Sequence, residues 1–274
     1  MARNNSRILP GFSLTLGYTM FYLSVLVLVP IAACFVRAGQ LSAHEFWRAV
    51  WTERARAAYL LTFGSSLVAA LVNVVLGALI AWVLVRYSFP GKRLIDSLVD
   101  LPLALPTAVG GLVYASLYVK SGWLGRYLVP LGIQGAYTRL GIVLVLVFVG
   151  LPFMVRAVQP VLEDLDAEEE EASSSLGASR FQTFRHVILP ALYPAIITGF
   201  ALAFARSVGE YGSVVFISGN MPFKTEIAPI LIVARLEEFA YGEATAIAVV
   251  LLLISLGMLI LINLLESWTR RHAA

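Results

Sequence analysis

Charged positions along this chain are gathered into short clusters, and the stretches between them stay apolar for lengths that a soluble core element does not need. No charge falls between Arg7 and Arg37 or between Arg56 and Arg86, and each interval exceeds the roughly 20 apolar residues that carry a helix across the hydrocarbon layer. The pattern predicts six transmembrane helices, at 12–36, 57–85, 98–119, 138–158, 191–217 and 244–266. The fourth is the shortest, and Arg156 near its end is expected to snorkel toward the interface. The last lies between Glu243 and Glu266 without an internal charge. Lipid offers backbone N–H and C=O groups no partners, so such segments must be helical. The fold class that follows is all-α and integral to the membrane, a single transmembrane domain over residues 1–274.

The first span has basic Arg3 and Arg7 ahead of it and Ile31-Ala32-Ala33-Cys34 near its end, a combination that resembles a lipoprotein signal. Its apolar stretch is about twice the usual 7 to 15 residues of a signal core, Pro30 interrupts it, and further spans follow, so it is expected to remain as a membrane helix. Six spans put both termini on one side of the membrane. The asymmetry of Lys and Arg barely decides which side, with ten on the terminus side against nine opposite. The short turn from Arg86 through Lys92 and Arg93 and the basic ends, Arg270 and Arg271 among them, favour the cytoplasm there. On the other side, Phe46, Trp47, Trp51, Arg54 and Arg56 read as an interfacial amphipathic stretch.

The longest polar segment, 159–190, leaves the membrane. It opens on an acidic cluster, Glu163, Asp164, Asp166 and Glu168 through Glu171, followed by Ala172-Ser173-Ser174-Ser175-Leu176-Gly177. A cluster of that kind is usually a solvated face. Gly177, however, can end one short helix and let the chain turn, and a second helical stretch runs from Arg180 to Leu189, closed by Pro190. Two short helices around a glycine form a knob suited to a groove on another protein.

Composition sharpens the class. Hydrophobic residues make up 59% and charged residues 14%, where soluble domains carry about 25% charged, and the mean hydropathy is +0.83. The lone Cys34 cannot form an internal disulfide. A net charge of +3 spread along the chain excludes a nucleic-acid surface, leaving membrane lipid as the solvent partner. The three histidines, His44, His186 and His272, stand far apart with no Cys or carboxylate spacing that would make a metal site. No phosphate-cradling loop precedes Gly91-Lys92, where Arg86 occupies the position of the first glycine. No catalytic residue, cofactor or metal is expected on this chain, and it is not expected to be an enzyme.

Glu171-Ala172-Ser173, then Gly177 after three residues, then Val187-Ile188-Leu189-Pro190 after nine more, resembles the E-A-A loop of ABC importer permeases. Ser173 and Val187 depart from the usual Ala and Ile and keep small or apolar character. The resemblance implies the type I ABC importer permease fold and a cytoplasmic loop whose coupling helix fits into an ATPase subunit. Glu171, Ala172, Ser173, Gly177, Val187, Leu189 and Pro190 would then be the coupling residues, and both termini would be cytoplasmic, in a bacterial inner membrane. The run Ala205 to Asn220, with Lys224-Thr225-Glu226, Leu101 to Thr107, Gly110-Gly111 and Tyr241 to Ala246, is similar to the T-type permease of sulfate/thiosulfate importers over nearly the whole chain. Molybdate permeases share less of it. That resemblance implies a W-type permease alongside, two ATP-binding subunits that hold the ATP and Mg, and a periplasmic sulfate/thiosulfate-binding protein. Transport would run by alternating access, with a molybdate or tungstate importer as the alternative. An ion-coupled secondary transporter would need more intramembrane carboxylates than Glu210.

Within the spans, Arg206 and Glu210 sit four apart on one helical face, where a lone charge costs at least about 2.5 to 3.5 kcal/mol. Either Arg206 adds positive potential to an anion route with Glu210 holding it, or the two form a structural tie between helices. Pro102 and Pro106 can kink span three beside Thr107, Gly110 and Gly111, either as a bend at the pathway or as close packing through small residues. Ser218, Gly219, Asn220 and Lys224 at the outer end of span five are candidates for an external gate, or an ordinary polar loop.

Overall fold

The computed structural model describes residues 12–272, with side chains described to Leu264; Arg3 and Arg7, and the side chains of Glu266, Arg270, Arg271 and His272, lie outside the described residues. Among the described residues, five helices are long and apolar enough to cross a membrane, Leu14–Ala38, Glu53–Arg86, Arg139–Glu163, Arg180–Val208 and Tyr241–Leu264, and a shorter apolar helix runs over Thr107–Tyr118. The chain enters through α1 (Phe12–Leu23) and α2 (Val29–Ala38), then α3 (Ala43–Val50) and α4 (Glu53–Arg86). It continues through α5 (Lys92–Val99), α6 (Leu101–Ala104), α7 (Thr107–Tyr118), α8 (Gly125–Leu128) and α9 (Arg139–Glu163). Then follow α10 (Ala167–Ser175), α11 (Arg180–Thr183), α12 (Leu189–Val208), α13 (Val214–Ile217), α14 (Ala228–Glu237) and α15 (Tyr241–His272).

Polar residues set the helix starts. Thr52 caps α4 by accepting from the Ala55 amide at 3.0 Å, and Thr138 caps α9 by accepting from Gly141 at 3.3 Å. Ser42 and Glu45 form a capping box at α3. Hydrogen bonds from the Ser42 hydroxyl, and then from its amide, hold the Glu45 carboxyl below the usual carboxylate range.

The centre of the molecule is the packing of α4, α9 and α12 on one another. In a bilayer, helices associate through small residues that let backbones approach. Here Met154 of α9 fills the space left by two glycines: a Cβ on Gly77 would lie 2.7 Å from its Cγ, and one on Gly199 would lie 2.6 Å from its sulfur. Around it Ala81, Leu84, Val155, Val158, Leu162, Ile188 and Leu192 form one buried cluster. The entering helix packs against α15 through α2, and α3 covers the start of α15 through Ala49, Val50 and Ala246.

Three expectations change. Pro190 does not close a helix, because a π turn over Phe184–Ile188 carries the chain from α11 into α12. The Leu189 amide bonds the carbonyl of Phe184, five residues back, and this wider turn passes the point where proline lacks a donor. The same device, a π turn over Ser24–Leu28 followed by Pro30, keeps the first span continuous. Span five, expected over 191–217, ends at Val208, and only the single turn of α13 follows. Span three, expected over 98–119, breaks at Leu105, where the backbone is extended (φ −82°, ψ 137°), and restarts at Thr107.

Candidate functional site: paired helix breaks and a coupling arm

The breaks in spans three and five meet. Pro106 removes an amide at the first and restricts Leu105 to extended geometry, while Gly209 and Gly212 flank the second. A Cβ on Gly111 would lie 2.1 Å from the Ser213 carbonyl oxygen, and one on Gly212 would lie 2.2 Å from the Thr107 hydroxyl. Only glycines allow this approach. Pro102 is buried, Thr107 half-buried and Pro106 exposed, and Pro106 offers no side chain to cap α7, whose amino end opens at the junction.

The charge pair sits on the second break. The Arg206 guanidinium donates to Glu210 at 2.5 Å, and the other carboxylate oxygen accepts from the Ser213 amide at 2.9 Å and its hydroxyl at 2.8 Å. Glu210 is 2% exposed and Arg206 31% exposed. The carboxylate is therefore sealed and occupied as a cap for the broken backbone, while part of the guanidinium remains exposed. The pair closes the break, with both of its bonded groups drawn from the residues on either side of it.

Ser218 and Asn220 do not join that site. Ser218 is buried and donates to the Asn220 side chain at 2.6 Å, and the Asn220 amide nitrogen donates to the Val215 carbonyl at 3.1 Å. Gly219 (φ 72°) and Asn220 (φ 52°) turn the chain in the left-handed region, so these residues build a turn. The loop beyond is held down. Arg54 grips Glu226 with two bonds of 2.7 and 2.8 Å, Arg139 donates to the Lys224 carbonyl at 3.0 Å, and Thr62 accepts from the Ala228 amide at 2.8 Å. Arg156 does not snorkel freely. It binds Asp96 and Asp100, each at 2.6 Å, and fastens α5 to α9.

The polar segment forms an arm. Gly177 adopts φ +84° with open space around it, and the carbonyls that end α10 are taken by the amides of Leu176, Gly177 and Ala178. Ser179 and Gln182 form a capping box for α11, and the Ser173 and Thr183 hydroxyls meet at 3.0 Å, joining the two helices. Glu171 and Ala172 are exposed. Leu176, 89% exposed, and Phe181, 69% exposed, project at the tip. Val187, Leu189 and Pro190 are half-buried at the foot of the arm, where Ile188 enters the core. Glu170 turns inward to pair with Arg86. Neither Arg54–Glu226 nor Arg86–Glu170 was singled out from the sequence, where the partners stand 172 and 84 positions apart.

The family described as binding-protein-dependent transport system inner membrane component matches residues 73–271. Among similar proteins, the sulfate transport system permease protein CysT of a Synechocystis species is 53% identical over 93% of this chain and 89% of its own length. The protein of the same name from Salmonella typhimurium is 47% identical over 97% of this chain and 96% of its own. Among solved structures, a bacterial ABC transporter that imports the acidic polysaccharide alginate aligns with TM-score 0.77 at 13% identity, over 93% of this chain and 94% of that one. The same transporter type in complex with an alginate-bound periplasmic protein aligns with TM-score 0.77 at 17% identity, over 96% and 94%.

Proposed function

This chain belongs to the family of binding-protein-dependent transport system inner membrane components, and from that premise we propose that it is the T-type permease subunit of an ATP-driven sulfate/thiosulfate importer. Its fold is that of type I ABC importer permeases, and ATP is hydrolysed on separate subunits. The observation that carries the substrate reading into the geometry is Arg206, partly exposed at the paired breaks, with its carboxylate partner sealed. A divalent oxyanion loses a large hydration energy on entering a low-dielectric path, and a partly exposed guanidinium at the broken end of α12 offers compensation there.

The partners in this reading are a W-type permease, two ATP-binding subunits carrying ATP and Mg, and a periplasmic sulfate/thiosulfate-binding protein. The exposed Leu176 and Phe181 with Glu171, Ala172 and Gly177 dock the ATPase, which puts the arm and both termini in the cytoplasm. Closure of the ATPase pair moves the arm, and the α4, α9 and α12 bundle carries that motion outward in alternating access.

The test is ATP-dependent uptake of labelled sulfate into vesicles holding the complete assembly, with molybdate as competitor. In Gly177→Asp the new side chain sits in the left-handed region, which Asp tolerates better than most residues, and its main effect is to add charge to the docking tip. Uptake is expected to fall at least about tenfold, the factor that 1.4 kcal/mol supplies, with the ATPase subunits no longer retained. Unchanged uptake in that variant, uptake driven by an ion gradient without ATP, or preference for molybdate would each overturn a stated part of the reading.

A further inference from the structure

α4 is gripped by an Arg–Glu pair near each end. On the arm side Arg86 pairs with Glu170 of α10, and its guanidinium lies over the Trp82 ring, 5.4 Å from the centroid. Trp82 in turn meets Phe184 edge-on at 5.8 Å, in the π turn that leads into α12. At the opposite end Arg54 holds Glu226 with two hydrogen bonds, and about two turns further in, Thr62 holds the Ala228 amide. The helix between the two arginines is about 48 Å long at 1.5 Å per residue. The arm is covalently continuous with α9 and α12, and its foot packs on α4 through Ile188, beside Ala81 and Leu84; the acidic helix α10 is tied to α4 by the Glu170–Arg86 pair. The loop 218–227 is likewise separate from α4 in sequence and tied to it by Arg54–Glu226.

We propose that α4 is a connecting rod, taking the displacement of the coupling arm through Glu170–Arg86 and delivering it to the outer loop through Arg54–Glu226. Glu170, not the neighbouring Glu171, is the carboxylate that transmits. Both partners of the inner pair are about one-quarter exposed, so it adds little to stability and its removal leaves the fold standing. Its consequence is mechanical, because without it α10 has no ion pair to α4, and the arm's displacement reaches that helix only through the packed foot and bundle.

The inference rests on the ATP-driven importer reading but not on the identity of the anion. The assay therefore follows a conformational response in the full complex without substrate. In a Cys34→Ser, Phe223→Cys background, the exposed loop position is labelled with a membrane-impermeant maleimide, with and without a non-hydrolysable ATP analogue. The parent rate is expected to change about fivefold or more with nucleotide, the low end of coupling between distant sites. Glu170→Gln and Glu226→Gln should each abolish that response while the ATPase subunits still copurify, and the exchanged pair Arg86→Glu with Glu170→Arg should restore it. An unchanged response in Glu170→Gln, an exchange that restores nothing, or a parent without any nucleotide response would overturn the rod. Failed sulfate uptake beside an intact labelling response would overturn the anion assignment alone.

Discussion

Arg206→Ala is expected to abolish sulfate uptake and to destabilise the permease by about 3 to 5 kcal/mol, the usual result of removing one partner of a buried charge pair. Glu210 is 2% exposed, and without the guanidinium its carboxylate keeps only the Ser213 amide and hydroxyl. Glu210→Gln leaves the opposite remainder, because the amide oxygen still accepts from Ser213 while Arg206, nearly one-third exposed, can draw on water. It is expected to destabilise less. The informative variant combines Arg206→Met with Glu210→Gln, which removes both charges and keeps the cap on the broken backbone. Thermal unfolding of the purified complex should return most of the way to wild type in that variant, while uptake stays lost. If uptake returns together with stability, Arg206 is a tie between backbone segments and its positive charge plays no part in the anion's passage.

What was readable in the sequence follows from the kind of interaction involved. A spacing of four is local, so the Arg206–Glu210 pair was visible, and the structure makes that contact although Glu210 lies past the end of α12 rather than on its face. The glycine at 177 was visible as a stop because a helix needs somewhere to turn, and it adopts φ +84°. Counting apolar residues, by contrast, measures length and says nothing about backbone continuity. The run from Ala191 to Ile217 reads as one span although Gly209 and Gly212 let it break. Pro190 misled in the other direction, since a π turn before it keeps the helix intact, as another does before Pro30 in the first span. Ser218 and Asn220, polar at a span end, read either as gate residues or as an ordinary polar loop, and their hydrogen bonds go to each other and to Val215. The two pairs that hold α4 were invisible because each joins residues far apart in the chain, and only the packed structure brings them together.

Gly111→Ala, a change of one methyl group, is expected to destabilise by about 3 kcal/mol, the upper part of the range for overpacking, and to remove uptake. The added Cβ would lie 2.1 Å from the Ser213 carbonyl oxygen and 2.7 Å from its Cα and carbonyl carbon. Those are backbone atoms, so no rotamer change relieves the contact. Ser213 cannot retreat without withdrawing its amide and hydroxyl from Glu210, and a displaced Glu210 releases Arg206. Gly64→Ala is the matched control, because its Cβ meets nothing within 4 Å and alanine in a helix is favoured over glycine by about 1 kcal/mol. Thermal unfolding and ATP-dependent uptake of the two variants, measured side by side, separate a general intolerance of helix glycines from a specific contact between the breaks. Equal behaviour would mean that spans three and five do not meet as described, whereas loss confined to Gly111→Ala makes the junction of the two breaks the point on which Arg206, Glu210 and the path beside them all depend.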